Sequence, residues 1–359
     1  MKFSLLIKLF SLLILTSFLT GCSLVMGDGR HLVPLSSKIV AQLRNMGSSP
    51  SEAMLIRLFK TENILEVWKR TSSGTYKLLK SYEVCAWSGI LGPKFKEGDR
   101  QAPEGFYTVT PGLMNPKSSY YLSFNTSFPN KFDRAYGRTG TDLMVHGDCS
   151  SSGCYSMTDE SIAEIYALGR DSFRGGQRSF QLQLFPFRMT PQNLAKYRNS
   201  EHLEFWKNIK IGYDAFEMSK QLPIWDVCEG KYIFNANGVS SDAMAKCPTQ
   251  SSMPSLMAKV QAKQISDEVE FNILVAKLEK NEADDLALAD KRVAEKIISA
   301  ERTAALNNAI NQQTQGISNA VGGFFGGLFG GGQQNNPQSN SIMINTNLIA
   351  PIPNPPIKR

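Results

Sequence analysis

The side chains best suited to chemistry lie in one run, His146-Gly147-Asp148-Cys149-Ser150-Ser151-Ser152-Gly153-Cys154-Tyr155-Ser156-Met157. A cysteine with a histidine in reach is a nucleophile with its base. The imidazole takes the thiol proton, and later returns it to a leaving amine. The chain has three histidines, His31, His146 and His202, and only His146 lies close to a cysteine in sequence. Cys154 is therefore the candidate nucleophile and His146 the candidate general base and acid. Backbone N–H groups around Gly153 and Cys154 would hold the oxyanion of such an attack. Ser151 would support the site or satisfy loop backbone.

The flanking residues must hold this run in place. Asp142-Leu143-Met144-Val145 reads as a strand entering it. Thr158-Asp159-Glu160-Ser161 reads as a helix start, with apolar Ile162, Ile165, Tyr166 and Leu168 behind. A cysteine near a helix start feels the positive end of the dipole, which favours the thiolate.

His146-Gly147 and Ser151-Ser152-Gly153-Cys154 resemble the active-site motif of the L,D-transpeptidase (YkuD-type) catalytic domain. That family has His-Gly at a strand end and Ser-x-Gly-Cys downstream. Many members carry a second histidine where this chain has Ser152, an Arg or Asn where it has Ser156, and a longer His-to-Cys gap. The chain instead resembles a compact-motif, periplasmic, proteobacterial subgroup of murein L,D-transpeptidase-like proteins, with His-Gly-x-Cys-x-Ser-x-Gly-Cys. Gly98-Asp99-Arg100-Gln101-Ala102-Pro103-Glu104-Gly105-Phe106-Tyr107 adds to the resemblance, as a turn leading into a core strand near the site.

The resemblance covers about residues 53–220. It implies an α+β, β-rich fold, a sandwich-like catalytic domain with peripheral helices. It also implies a peptidoglycan stem peptide containing diaminopimelate as substrate, and a thioester on Cys154. Attack by an amine would make the protein a transpeptidase. Attack by water would make it a hydrolase, and some relatives resemble amidases that release wall-attached lipoprotein. A non-catalytic wall-binding lipoprotein is the third reading.

Residues 1–22 read as an export signal, with Lys2 and Lys8 before an apolar run. The run ends in Leu19-Thr20-Gly21-Cys22, which resembles a lipobox, so Cys22 would be lipidated. Ser23 after it suggests a periplasmic protein held at the outer membrane. Residues 23–50 read as a tether carrying a solvated His31, with a short helix around 39–46. Residues 53–60 and 64–70 give a hairpin signal, followed by one long strand over 76–87. The connection 111–140 interleaves aromatic residues with Arg134 and Arg138. Aromatics such as Tyr136 could line a peptide groove, and arginine grips carboxylates with two hydrogen bonds. Helix 162–168, strand 179–187 and a helix over 202–218 follow. His202 reads as a surface or packing residue.

Hydrophobic residues are 42% and charged residues 20% of the chain, enough for a sizeable core. The net charge of +7 falls to about +5 without Lys2 and Lys8, an excess that suits solubility or an acidic wall polymer. No basic-aromatic motif points to nucleic acid. The cysteines lack Cys-x-x-Cys spacing and the other histidines are scattered, so neither metal nor organic cofactor is expected. Cys228 and Cys247, in a loop-rich stretch over 221–250, could form a disulfide that stabilises by roughly 3 kcal/mol. Spacing alone does not set the pairing, and Cys149 could be a small buried residue or pair elsewhere. Residues 251–312 lack the Gly and Pro of the flanking segments over most of their length. Val269, Ile273, Leu286, Val293 and Ile297 there predict one or two long helices, either self-associating as a coiled coil or folded back. The Gly-rich run and the Asn/Gln/Pro-rich stretch over 313–359 read as a disordered tail.

Overall fold

The computed structural model describes residues 29–326. The expected signal, the lipidated Cys22 and the tail beyond residue 326 lie outside the described residues. Helix α1 (Ser37–Asn45) precedes an antiparallel meander of β1 (Met54–Phe59), β2 (Ile64–Arg70) and β3 (Tyr76–Glu83). Short strands β4 (Ala86–Trp87), β5 (Gly105–Val109), β6 (Met114–Asn115) and β7 (Ser123–Asn125) lead to helix α2 (Lys131–Ala135). β8 (Met144–His146) and β9 (Tyr155–Ser156) flank the candidate catalytic run, and α3 (Asp159–Arg174) leaves it. Then come β10 (Phe180–Phe185), α4 (Pro191–Lys196), α5 (Leu203–Ser219), the hairpin β11 (Trp225–Cys228) and β12 (Lys231–Phe234), and helix α6 (Pro254–Gly326).

This is an α+β protein with two five-stranded sheets, ordered β3-β2-β1-β10-β5 and β4-β9-β8-β7-β6. They share one core, with Ile56, Leu58, Tyr107 and Leu182 from the first and Phe124, Val145 and Tyr155 from the second. β1 pairs parallel with β10 at the centre of the first sheet. A central strand covered on both faces can be apolar throughout, and β1 is buried at every position. Its side chains still alternate. Met54, Ile56 and Leu58 enter the shared core, while Leu55 packs with Phe216 of α5 and Phe59 with Tyr213.

A second core lies between the first sheet, α5 and the β11–β12 hairpin, built on Phe59, Phe106, Phe185, Trp206 and Phe234. Gly212 is required there, because a Cβ would stand 2.3 Å from the Phe234 ring. Residues 225–234 are thus part of the core, and Cys228 is disulfide-bonded to Cys247.

Three expectations need correction. The strand over 76–87 breaks after Glu83, because the chain crosses between sheets; the Cys85 N–H donates to Ser156 O beside β9. The tether from residue 29 onward is packed down. Ile39 and Leu43 of α1 are buried, and Arg170 Nη1 donates to the carbonyls of half-buried His31 and of Val33. The helix expected over 251–312 runs unbroken over Pro254–Gly326, continuing past residue 312 into the expected tail.

Among the described residues, those up to Asn281 belong to one compact unit and those from Glu282 to a second. In the first, Val260 and Phe271 of α6 are buried, while Val269 and Ile273 are exposed. The register is set by Phe271 in the second core and by Asp267, which pairs with buried Lys210. In the second, residues 282–319 are exposed throughout. Among the described residues no helix is long and apolar enough to cross a membrane.

One buried ion pair joins these layers. Lys60 follows β1 and is fully buried. Its Nζ lies 2.9 Å from Glu104 Oε1 and donates to the carbonyls of Ala102 at 2.8 Å and Gly92 at 3.2 Å. Glu104 also accepts from the Gly92 N–H and from Trp206 Nε1, each at 2.8 Å. Burial pushes the Lys60 amine below its ordinary range, and Glu104 opposes that shift. Lys60→Met leaves the Glu104 carboxylate buried without its cation. It is expected to cost about 3–5 kcal/mol, read as a lower urea midpoint. Lys60→Met with Glu104→Gln should recover part of the loss, and an unchanged midpoint in the single variant would refute this role.

Candidate active site

β8 and β9 pair in parallel, with Val145 opposite Tyr155 and His146 opposite Ser156. Val145 and Tyr155 are fully buried in the shared core. Successive side chains alternate between faces, so His146 and Cys154 share the opposite face. Strand spacing of about 4.8 Å and a rise of about 3.3 Å per residue put their Cα atoms roughly 8 Å apart, within side-chain reach.

Parallel neighbours normally need a crossover of a dozen or more residues. Residues 147–154 make this one, and unusual backbone makes it fit. Asp148 and Cys149 are left-handed, with φ of 68° and 43°, and Gly153 has φ of 125°. A Cβ on Gly147 would stand 2.4 Å from Asp159 Oδ1 and 3.0 Å from the Tyr120 carbonyl. The Asp148 N–H donates to Asp159 Oδ1 at 2.9 Å, which fastens the loop to the first turn of α3. The Cys149 N–H donates to Met157 O, and Cys149 is disulfide-bonded to Cys85. Ser151 Oγ donates to the Cys154 carbonyl at 2.7 Å, so Ser151 satisfies loop backbone beside the nucleophile.

His146 Nδ1 lies 2.6 Å from the Gly147 carbonyl. A carbonyl only accepts, so Nδ1 carries the proton and Nε2 presents a lone pair. The ring packs on Tyr120 at 4.6 Å between centroids. Burial pushes the imidazole below its ordinary pKa, against the Gly147 hydrogen bond and the Asp148 charge. Cys154 is the free cysteine of the described residues. Its Sγ accepts from the Met144 N–H at 3.4 Å and faces the Asp142 carbonyl at 3.7 Å. Burial pushes the thiol up, and the Asp142 charge adds to this; the Met144 N–H and Lys94 pull the other way.

The expected dipole effect on Cys154 is therefore corrected. α3 begins at Asp159 behind its cap Thr158, and Cys154 precedes β9 instead of the helix. The dipole acts within the first turn, so burial decides. No hydrogen bond joins the thiol to His146, and burial disfavours the charged form of each.

The expected carboxylate ligands fall elsewhere. Arg138 is buried, 2.9 Å from Asp133 Oδ1, with its guanidinium over Phe95, Phe132, Tyr136 and Phe205. Arg134 Nη1 donates to the Pro129 carbonyl, and Tyr136 Oη donates to the Gly230 carbonyl at 2.9 Å. Arg138 and Tyr136 line a cleft of about 660 Å³ against α5 whose walls include neither His146 nor Cys154. The pairing of Arg138 with Asp133, five residues away, was not legible in the charge pattern. His202 packs between Phe95 and Trp206 in this region. Cys85, Lys94 and Tyr120 were not singled out from sequence, since each reaches the site from a distant segment. Among the described residues no group of three or more His, Cys, Asp or Glu side chains could hold a metal ion.

No family model matches the chain. Over 209 residues it is 40% identical to YafK of Escherichia coli (strain K12), covering 58% of this chain and 82% of YafK. The chain belongs to the L,D-transpeptidase family. YafK carries the name of an L,D-transpeptidase with the activity not established, and its counterpart in Escherichia coli O157:H7 matches equally. Among solved structures, the helical cell shape determining protein Pgp2 of Campylobacter jejuni is 17% identical, with 64% of this chain and 77% of that one covered and a TM-score of 0.31. Bd1075 of Bdellovibrio bacteriovorus is 18% identical, with coverages of 48% and 76% and a TM-score of 0.27.

For this L,D-transpeptidase-family chain the raised thiol pKa has a kinetic signature. Alkylation of Cys154 by iodoacetamide should keep accelerating above the ordinary thiol pKa of about 8.5. A plateau below pH 7 would show a preformed thiolate–imidazolium pair instead. The Cys85–Cys149 disulfide spans 64 residues, and losing it is expected to cost about 4 kcal/mol on the loop-entropy estimate. Cys85→Ser with Cys149→Ser should lower the thermal midpoint accordingly, and an unchanged midpoint would show that the loop holds itself.

Proposed function

We propose that this protein is a peptidoglycan-modifying cysteine acyltransferase that acts on stem peptides containing diaminopimelate. One observation carries the reading: parallel pairing of β8 and β9 puts His146 and Cys154 on one face, with Nδ1 tied to Gly147 and Nε2 free. In the reaction, Cys154 turns from the Asp142 carbonyl toward the imidazole. Nε2 takes the thiol proton as sulfur bonds to the peptide carbonyl carbon. The N–H groups of Gly153 and Cys154 hold the developing oxyanion. The C–N bond then breaks, the imidazolium gives its proton to the leaving amine, and a thioester remains. An acceptor amine attacks the thioester carbonyl and His146 takes the amine proton; the C–S bond then breaks, and the imidazolium gives the proton to the departing sulfur, which regenerates the thiol. A lowered imidazole pKa and a raised thiol pKa fit this order, because the proton moves as the bond forms.

The location belongs to the same proposal. A lipidated Cys22 would anchor the protein at the outer membrane, facing the periplasm. The disulfides Cys85–Cys149 and Cys228–Cys247 suit an oxidising compartment.

Mass spectrometry of products tests the activity. Wild type and Cys154→Ala would be incubated with tetrapeptide muropeptides, and with peptidoglycan carrying attached lipoprotein. Cross-links or exchanged stems that need Cys154 are expected. Released lipoprotein or shortened stems without cross-links would replace the transferase by a hydrolase. Absence of any Cys154-dependent product would leave a wall-binding protein.

A further inference from the structure

The segment between Lys94 and Glu104 borders the nucleophile, and one of its residues has no role in holding the fold. Asp99 is fastened from several sides. Its carboxylate pairs with buried Lys94 and accepts the N–H groups of Phe95, Lys96 and Gln101 at 2.9–3.0 Å. These bonds hold its pKa down at about 2, although burial pushes the other way. Gln101 is buried and bonds both the N–H and the carbonyl of Ile90 and the carbonyl of Gly92. Arg100 sits between these two fixed neighbours. Its backbone is left-handed, with φ of 55°, a conformation that costs a non-glycine residue of order 1–3 kcal/mol unless its surroundings impose it. A Cβ built on Gly153 would stand 4.0 Å from the Arg100 Cα. Arg100 thus abuts the residue that precedes the nucleophile. Its side chain is exposed and has no ion-pair or hydrogen-bond partner among the described residues.

We infer that Arg100 is the carboxylate subsite of the active site. It binds a free carboxylate of the peptide within one residue of the carbonyl that Cys154 attacks. The inference rests on the reading of the site as acting on stem peptides. Lys94 cannot supply the grip, because its charge is already paired with Asp99. Arg138 is buried against Asp133, and Arg134, though exposed, is tied to the Pro129 carbonyl and lines clefts whose walls include neither His146 nor Cys154. A guanidinium offers a planar fork that matches a carboxylate with two charge-assisted hydrogen bonds. Pinned backbone on both sides fixes where the side chain begins, so that only its rotamers remain to be ordered on binding. Arg100 thereby selects peptides whose carboxylate is free and discriminates against amidated ones.

The test separates binding from turnover. Calorimetric titration would use the full chain carrying Cys154→Ala, with and without Arg100→Ala or Arg100→Lys. The probes are the tetrapeptide L-Ala-γ-D-Glu-diaminopimelate-D-Ala and two analogues, one amidated at the terminal carboxylate and one at the free diaminopimelate carboxylate. Arg100→Ala should weaken binding of the free acid roughly 10- to 100-fold. One amidated analogue should bind the parent as weakly, and Arg100→Ala should not weaken it further. Arg100→Lys should retain part of the affinity. Equal weakening of all three peptides by Arg100→Ala, no weakening of any, or no binding of the free acid to the parent would overturn the subsite. Failure of the proposed activity shows separately, as absence of Cys154-dependent product from protein that still binds the free acid.

Discussion

Lys60 and Glu104 form the contact on which the active region depends. Two buried charges are costly to desolvate, and such a pair survives only with its remaining hydrogen bonds made. Here they are made by the chain that must be positioned. Lys60 holds the carbonyls of Gly92 and Ala102, while Glu104 holds the Gly92 N–H and the Trp206 indole. The segment between residues 90 and 104 is thereby set against the end of β1. From there it reaches the nucleophile's strand. The Pro103 carbonyl accepts the Tyr155 hydroxyl at 2.6 Å, one residue after Cys154, and Ser88 and Ser151 lie within hydrogen-bond distance. A polar contact in the core thus sets the geometry of groups on the surface.

The site combines rigid backbone with uncharged reactive groups. Two left-handed residues, a glycine with no room for a side chain and a cross-link to Cys85 hold the turn between β8 and β9. The thiol itself rests against strand backbone. Burial disfavours the charged forms of both thiol and imidazole, so in the proposed reaction the charge needed for attack would be created as a substrate carbonyl arrives to receive it. A neutral thiol is also slow to react with stray electrophiles and oxidants, because the thiolate is the nucleophile.

His146 and Cys154 were legible from sequence because the run between them is short and the strand before it is apolar. The β1–β2 hairpin was legible from its apolar, β-branched and aromatic residues and the polar break between them. What sequence hid came from distance or from double burial. Cys85 and Cys149 are far apart in the chain, and nothing in their spacing joins them. Arg138 looks like an exposed loop charge until Asp133 and four aromatic rings are placed around it. The alternation Gln181-Leu182-Gln183-Leu184 suggests a polar strand face, yet β10 pairs with the buried β1 and Gln183 is fully enclosed. In α6 the aliphatic residues recur at helical spacing, but Phe271 and Asp267 choose which side faces inward.

The first turns of α6 have a bearing on where the chain can be cut. Lys210 and Asp214 on α5 are nearly inaccessible, and Asp267 of α6 completes their charge cluster together with Lys263. Met257, Leu274 and Leu278 cover aromatic residues of the second core. A shortened protein that stops before residue 254 would uncover an ion cluster and an oily wall at once, and it would tend to aggregate. One that stops after residue 281 would keep the wall and end on a solvated helical turn. The natural seam of this molecule thus lies within a helix, where neither a loop nor a change in composition marks it.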